Sequence, residues 1–495
     1  MLDAGGAKRR WWFVSHHPTT VLVIAWSFAA IVRGGMLIFG ADFETDPDAY
    51  RIIAETLAIH GGYGLPTEAG SWRPTAFRPP LYPWMLSWGV RGGSLIGVAG
   101  GVLHFVLGMA TVTLAGSVAS RLHRTADGRV AKTWLVALVM LLVACDPLLL
   151  WQSRLLMTET LATFLATILW WAWVLGYPVQ TPVSEPNGPE RWLPCPRWAA
   201  GCGFAFAAAF LCRPTFLIQL AGLALAVATA SVWRMRFDRR TMGLRGMAIV
   251  LVGLVAPMGF AIAAWSLRNA RVMGAPVWAT THGGYTLLLA NNESFYDHIG
   301  ESPLSIGPLD RRWDAEPFLE GYMHRYNADA RKASFWDRDW RGVELRAGST
   351  TEVGDDRYVS EIAKATITRR PGLFLWSCVV RFCRLWNPLP HESGAAGIAV
   401  GVGYTLIFAA AIWGGWRIRF WRDPRWWPAV ALGIALSAVH AVYWSNPRMR
   451  SPVSVPVAIL AASGVFAFRK SRIGLETERS SDLHPNDLSL PASEP

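Results

Sequence analysis

The stretch "TTVLVIAWSFAAIVRGGMLIFG", Thr19–Gly40, decides the class of this protein. A segment crossing the hydrocarbon core of a bilayer takes about 20 predominantly apolar residues, and this run supplies them with one charge, Arg33. It follows "KRRWWFVSHHPTT", is longer than the apolar part of a signal peptide, and has no small-residue cleavage site behind it, so it reads as a retained anchor. Working outward, similar windows lie near 93–117, 134–151, 159–177, 198–212, 214–233, 247–267, 396–416, 427–444 and 452–468. The expectation is an α-helical polytopic membrane protein of about ten transmembrane helices. Composition agrees: 52% of the 495 residues are hydrophobic, 27 are Trp and only 17% are charged, against roughly 25% in soluble domains.

A net charge of +12 could suggest nucleic acid, but the basic residues are sorted by loop. Lys8, Arg9 and Arg10, then Arg121, Arg124, Arg129 and Lys132, then "RMRFDRRTMGLR", "WRIRFWRDPR" and "FRKSR" fall in alternate connections, which the positive-inside rule places in the cytoplasm. No nucleic-acid partner is expected; membrane lipids are. Residues 1–18 and a polar, disordered tail over 471–495 are then cytoplasmic, flanking a membrane domain over 19–470. A first loop over 41–92, a turn near 152–158, a long loop over 268–395 and the turn "SNPRMRSP" lie outside. The run "RPGLFLWSCVVRFCRLW" would upset that alternation as an eleventh span, so it reads as an external juxtamembrane helix. The cysteines imply no external disulfide framework.

The first loop carries chemistry. In "TDPDAYRIIAETLAIHGG" a helix is predicted with Asp46 as N-cap, Pro47 at its first position and Gly61–Gly62 after its end. Capping uses one acid, whereas Asp46, Asp48 and Tyr50 gather at the same helix end, where the dipole favours the ionised carboxylate that a general base needs. In "FRPPLYPWML", the two prolines after Arg78 stiffen the backbone, so this guanidinium either sits fixed against a phosphate or snorkels to headgroups. Glu159, in "SRLLMTETLATFL", stands where an apolar run begins, at a cost of roughly 2.5–3.5 kcal/mol if it lies well inside the bilayer. Arg154 and Thr158 are its candidate partners. Arg213 in "LCRPTFL", "SLRNARVMGAPVWATTHGGYTLLLANN" with Arg268, Asn269, His282, Tyr285, Asn291 and Asn292, and "WSNPRMRSPVSVP" with Arg448 and Arg450 repeat the pattern of Arg beside Pro, Gly or Asn at an external helix end.

Taken in order, Asp-x-x-x-Tyr, Arg-Pro-Pro-Leu-Tyr-Pro (with Tyr82), Thr-Glu-x-Leu, Arg-Asn with Gly-Gly-Tyr and Asn-Asn, and Pro-Arg-x-Arg-x-Pro resemble the bacterial GT-C glycosyltransferases. These include lipid A aminoarabinose transferases and relatives of dolichyl-phosphate-mannose protein mannosyltransferases, and the resemblance runs from about residue 20 to 470. It implies a GT-C type fold with external juxtamembrane helices and a long external loop, in a bacterial inner membrane with the active site on the periplasmic face. The family's loop-one Asp matches Asp46, with Asp48 as the fallback; its phosphate-binding cation matches Arg78, and its second-turn acid matches Glu159. Aminoarabinose transferases carry a metal-associated Glu just before that cation. Here Phe77 stands there, and although His282 could match their histidine, no metal or other cofactor is assigned.

The resemblance implies a polyprenyl-phosphate sugar donor and an acceptor in the cell envelope. Such a donor already has a good leaving group, so the reaction needs a base for the acceptor and positive charge for the departing phosphate. The alternative is a transporter or flippase of lipid-linked glycans, which would favour broken helices and internal pseudo-symmetry. No internal repeat is found.

Overall fold

The computed structural model describes residues 18–46, 48–67, 70–123, 129–177, 193–237, 244–301, 351–388 and 394–466. The N-terminal segment to residue 17, residues 238–243 of the basic run and the polar tail lie outside them, as do 302–350 of the long loop.

All ten apolar windows fall on helices, but length and composition qualify fewer of them as spans. Thr19–Gly40, Ile96–Leu122, Phe216–Trp233, Leu244–Met273, Ala395–Ile418 and Pro447–Phe466 are long and apolar enough, which makes six among the described residues. Lys132–Ala144 and Pro147–Ser153 make a seventh if taken together, though they are bent by 47°. Glu159–Leu175 and Pro196–Cys212 have 17 residues each, and Trp427–Val442 has 16. At 1.5 Å per residue these reach roughly 26 Å, short of the ~30 Å core. The bend has a local cause. Proline excludes the preceding residue from helical geometry, and Asp146 opens the next helix by accepting from the amides of Leu148 and Leu149.

Burial ranks the helices. Pro447–Phe466 is 72% buried within the bundle, against 17% for Leu244–Met273, so the last span is central and the other peripheral. Glu159–Leu175 is also enclosed, packing Leu161 and Leu165 toward one cluster and Leu169 and Trp173 toward another. The Pro371–Trp386 helix is not among the span-length apolar helices. Its inward-facing Arg381 donates to the carbonyls of Ala441 at 2.7 Å and Ala290 at 2.5 Å, fastening it across two other helices.

The first loop is ordered by its own contacts. Its helix, Tyr50–His60, starts later than the sequence pattern predicts: Ala49 holds the N-cap position with φ 59°, and Pro47 lies outside the described residues. Asp46 still caps, since its carboxylate accepts from the amides of Arg51 at 3.1 Å and Ile52 at 3.0 Å. Gly61, with φ 70°, closes the helix as expected and permits the left-handed turn. A short antiparallel hairpin, Gly64–Pro66 with Trp72–Pro74, then leads to Arg78 and the Leu81–Arg91 helix.

Candidate active site

Several of the acids and arginines singled out in the sequence converge at one end of the bundle. Arg78 donates from Nη2 to Asp48 Oδ1 at 2.6 Å and from Nε to the Asp48 carbonyl at 2.7 Å. Its guanidinium lies 4.5 Å from the ring of Phe77 and 5.4 Å from that of Tyr50. The backbone that presents it is tied in turn, because the Tyr63 hydroxyl donates to the carbonyl of Arg78 at 2.8 Å. That anchoring, with Pro79 and Pro80 following, makes Arg78 a fixed cation rather than a free surface chain.

Glu159 opens its helix fully buried, and its partner is Arg213 rather than Arg154. Arg213 donates to Glu159 Oε1 at 2.6 Å and to Thr158 Oγ1 at 2.8 Å from the break between two helices. Arg154 turns away to the Gly40 carbonyl and lies over Trp151, so the expected Arg154–Glu159 pair does not form. Residues 154–158 interrupt the helical path, which separates the two side chains.

Arg448 joins the two pairs. Its guanidinium lies 3.8 Å from Asp48 Oδ2 and 3.7 Å from Glu159 Oε1, beyond hydrogen-bond distance from both. Its Nη1 reaches Met157 Sδ at 3.1 Å, and its buried Nε has no hydrogen-bond partner among the described residues. Three arginines against two carboxylates leave the cluster one positive charge in excess.

Protonation follows from these neighbours. Burial opposes ionisation of Asp48, but the charges of Arg78, then Arg448 and, less, Arg213 outweigh it and hold the carboxyl below its ordinary value. Asp46 goes the other way, raised chiefly by burial despite the helix amides it accepts from. His282 is pushed well below its usual range by burial and by Arg78, so its imidazole stays neutral. Burial lifts the Tyr50 phenol to about 12.

His282 lies edge-on to Phe77 at 4.9 Å and 5.0 Å from the Tyr285 ring, bringing the long loop to the site. Glu352 holds that loop in place, accepting from Thr75 Oγ1 at 2.8 Å, from the Ala76 amide at 3.0 Å and from Thr281 Oγ1. Phe77 offers no ligand where a carboxylate would be needed, and no three His, Cys, Asp or Glu converge on a metal-sized space among the described residues. Among the described residues, this site therefore offers no ligand set for a metal.

Other expected site residues serve the scaffold. Arg268 donates to the carbonyls of Thr75 at 2.7 Å and Tyr63 at 2.6 Å, and Asn269 to that of Val277 at 2.7 Å. Asn292 folds back on Leu288 and Leu289, and Asn291 bonds Leu287 and Val442. Tyr82 is wholly buried, its hydroxyl 2.7 Å from His104 Nε2. Arg450 donates to the carbonyls of Leu385 and Asn387 at 2.8 and 2.5 Å. Glu352 and Met157 were not singled out in the sequence, since neither belongs to a recurring pattern.

An apolar groove of about 740 Å³ starts at Pro80, two residues from Arg78, and runs between the 196–212 and 244–273 helices past Phe204, Pro257, Phe260 and Trp265. A second, of about 610 Å³, lies between the 18–40, 96–122 and 129–144 helices, lined in part by Trp26 and Lys132.

No family model matches the chain, and no curated protein matches it. Among solved structures it is similar to the archaeal oligosaccharyltransferase AglB from Archaeoglobus fulgidus in complex with an inhibitory peptide and a dolichol-phosphate, at 15% identity and a TM-score of 0.47, over 97% of this chain and 53% of that one. It is also similar to ArnT from Cupriavidus metallidurans bound to undecaprenyl phosphate, at 15% identity and a TM-score of 0.37, over 94% of this chain and 82% of that one. The chain thus spans about half the length of the oligosaccharyltransferase.

Proposed function

We propose that the protein is an integral membrane glycosyltransferase that moves a sugar from a polyprenyl-phosphate donor to an envelope acceptor on the external face. The observation carrying this reading is the cluster of Asp48, Arg78 and Arg448, with Pro80, two residues along the chain from Arg78, among the residues lining the apolar groove. An ionised carboxylate next to an excess of fixed cations, with an apolar groove reached through Pro80, suits a ligand made of a long apolar tail, a phosphate and a sugar.

The reaction follows from charge. The isoprenoid lies along the groove, and the phosphate meets Arg78 and Arg448, which stabilise the negative charge that grows as the sugar–phosphate bond breaks. Asp48 accepts the proton of the attacking acceptor, and Glu159 orients that acceptor. Displacement in one step inverts the anomeric centre. Asp46 matches the family motif more closely, but both of its oxygens receive helix amides, which favours Asp48 as the base. The rival reading, a flippase for lipid-linked glycans, draws on the 47° bend and on Asp146, which the buried Arg33 faces electrostatically there.

One experiment separates the two. The purified protein in nanodiscs is supplied with undecaprenyl-phosphate sugars and an envelope extract, and release of undecaprenyl phosphate is followed. Donor consumption that requires the extract supports transfer; movement of intact donor across a vesicle bilayer without consumption would establish the flippase instead.

A further inference from the structure

Glu159 and His440 each leave a buried acceptor atom unpartnered among the described residues, and Glu159 is an electrostatic neighbour of the His440 ring. Glu159 is fully buried, and while Oε1 accepts a hydrogen bond from Arg213 Nη2 at 2.6 Å, Oε2 has no hydrogen-bond partner among the described residues. His440 is 7% exposed and lies near the end of the 427–442 helix. Its Nδ1 is 2.8 Å from the Trp444 carbonyl, which can only accept, so Nδ1 carries the proton. In the neutral ring this leaves Nε2 as a bare lone pair, also buried and without a partner among the described residues. Arg213, Arg448 and Glu159 are the charged neighbours of that ring. On the turn that follows, Asn446 buries an unpartnered amide oxygen as well.

A buried acceptor left unmade costs roughly 1–3 kcal/mol, so a group of such acceptors calls for a ligand that brings donors. Resting on the glycosyltransferase reading above, we infer that Glu159 and His440 form the acceptor-substrate subsite and that its ligand is a carbohydrate, bound through neighbouring hydroxyls. A sugar presents hydroxyl donors on adjacent carbons, matching several unpartnered acceptors at once. A serine or threonine side chain presents one. His440 is then a specificity residue that the sequence patterns did not pick out, since "AVHAVYW" reads as the end of an apolar helix.

The test uses the full chain in nanodiscs, saturated with undecaprenyl phosphate, and saturation-transfer NMR with methyl glycosides of glucose, mannose and arabinose. N-acetyl-serinamide and N-acetyl-asparaginamide serve as peptide probes. Wild type is expected to give glycoside signals and no peptide signals. His440→Leu, which fills the space without an acceptor, should reduce the glycoside signals at least five-fold, and His440→Gln, which restores an acceptor oxygen, should recover much of the loss. Thermal stabilisation by undecaprenyl phosphate should be equal in all three, which shows that the variants fold. Glycoside signals unchanged in His440→Leu, absent in wild type, or replaced by peptide signals would overturn the inference. If undecaprenyl phosphate failed to stabilise wild type, the donor reading would fall, while glycoside signals that depend on His440 would still uphold the subsite.

Discussion

Arg448 and Arg450 stand two residues apart on one 3-10 turn, Pro447–Val453, yet the turn sends them to different surroundings. Arg450 gives its protons to main-chain carbonyls and lies beside the rings of Tyr404 and Phe408, at 5.1 and 5.2 Å. Arg448 faces two carboxylates at ion-pair range and keeps a buried Nε without a hydrogen bond. The same contrast separates Asp46, whose oxygens receive helix amides, from Asp48, whose oxygens face Arg78 and Arg448. A charged group spent on the backbone builds the scaffold; one held against other charges retains capacity for a ligand.

The largest expected effect tests the two acids. Asp48→Asn should lower sugar transfer about a hundred-fold or more, the usual contribution of a positioned base, without altering insertion, and should lower the melting temperature because Arg78 loses its ion-pair partner. Asp46→Asn should cost only a few-fold, because asparagine also caps helices well. Equal losses in a donor-release assay would erase the distinction, and the reverse order would return the base to Asp46.

Next in size is the pair of arginines. Arg450→Ala strands the buried carbonyls of Leu385 and Asn387, at roughly 1–3 kcal/mol each, and should show as a lower melting temperature. Arg448→Ala should leave melting unchanged and weaken undecaprenyl phosphate binding about ten-fold or more, from the loss of a charge-assisted contact. A stability loss in Arg448→Ala matching that in Arg450→Ala would break the comparison.

Much of this was legible in the sequence, for reasons that differ by residue. Apolar windows predict helices well because lipid demands long apolar runs, so all ten windows fall on helices. They predict crossing less well: the 159–175 helix is as apolar as any span but begins at the buried Glu159, and the chain breaks at Asp146–Pro147. Arg78, Arg213 and Glu159 were visible as charges at helix ends. Their pairing was not, because Arg213 reaches Glu159 across 54 residues of sequence, whereas Arg154 is only near in sequence. Arg268, Asn269 and Asn292 carried the right chemistry, but buried backbone carbonyls claimed it first. His440 is a single polar residue in an apolar helix, and only the fold reveals what it faces.

A smaller effect lies in the pH profile, and its sign separates the acids again. A carboxyl whose folded value is lowered adds stability above its unfolded value, near 3.9, and loses it as pH falls through the lower folded value. Asp48 behaves this way, so with Asp48 as base the acid limb of kcat/KM should fall below about 4. Asp46 is raised, and its ionised form weakens the fold as pH climbs through that raised value. An acid limb above the ordinary carboxylate value would favour Asp46. Asp46→Asn should leave the limb in place if Asp48 is the base.

The smallest effect concerns the long loop, where the same contrast takes the form of docking versus closure. Thr281 donates its amide to the Ala76 carbonyl at 3.0 Å, which rests the 281–290 segment on the first loop, and Asp356 accepts from the Gly284 amide at 2.7 Å, which ties it to the 352–369 helix. A loop that is already docked can gain only modest protection. Undecaprenyl phosphate at saturation should slow amide exchange across 282–292 by less than ten-fold, since the phosphate would bridge Arg78 to the His282 side and damp opening rather than order a free chain. Glu352→Gln sharpens the measurement. It removes the charge that holds Thr75, Ala76 and Thr281 together, so exchange should quicken without ligand and the ligand-induced slowing should grow. Exchange indifferent to ligand in both proteins would make the segment a fixed wall of the site, and closure would have no part in the reaction.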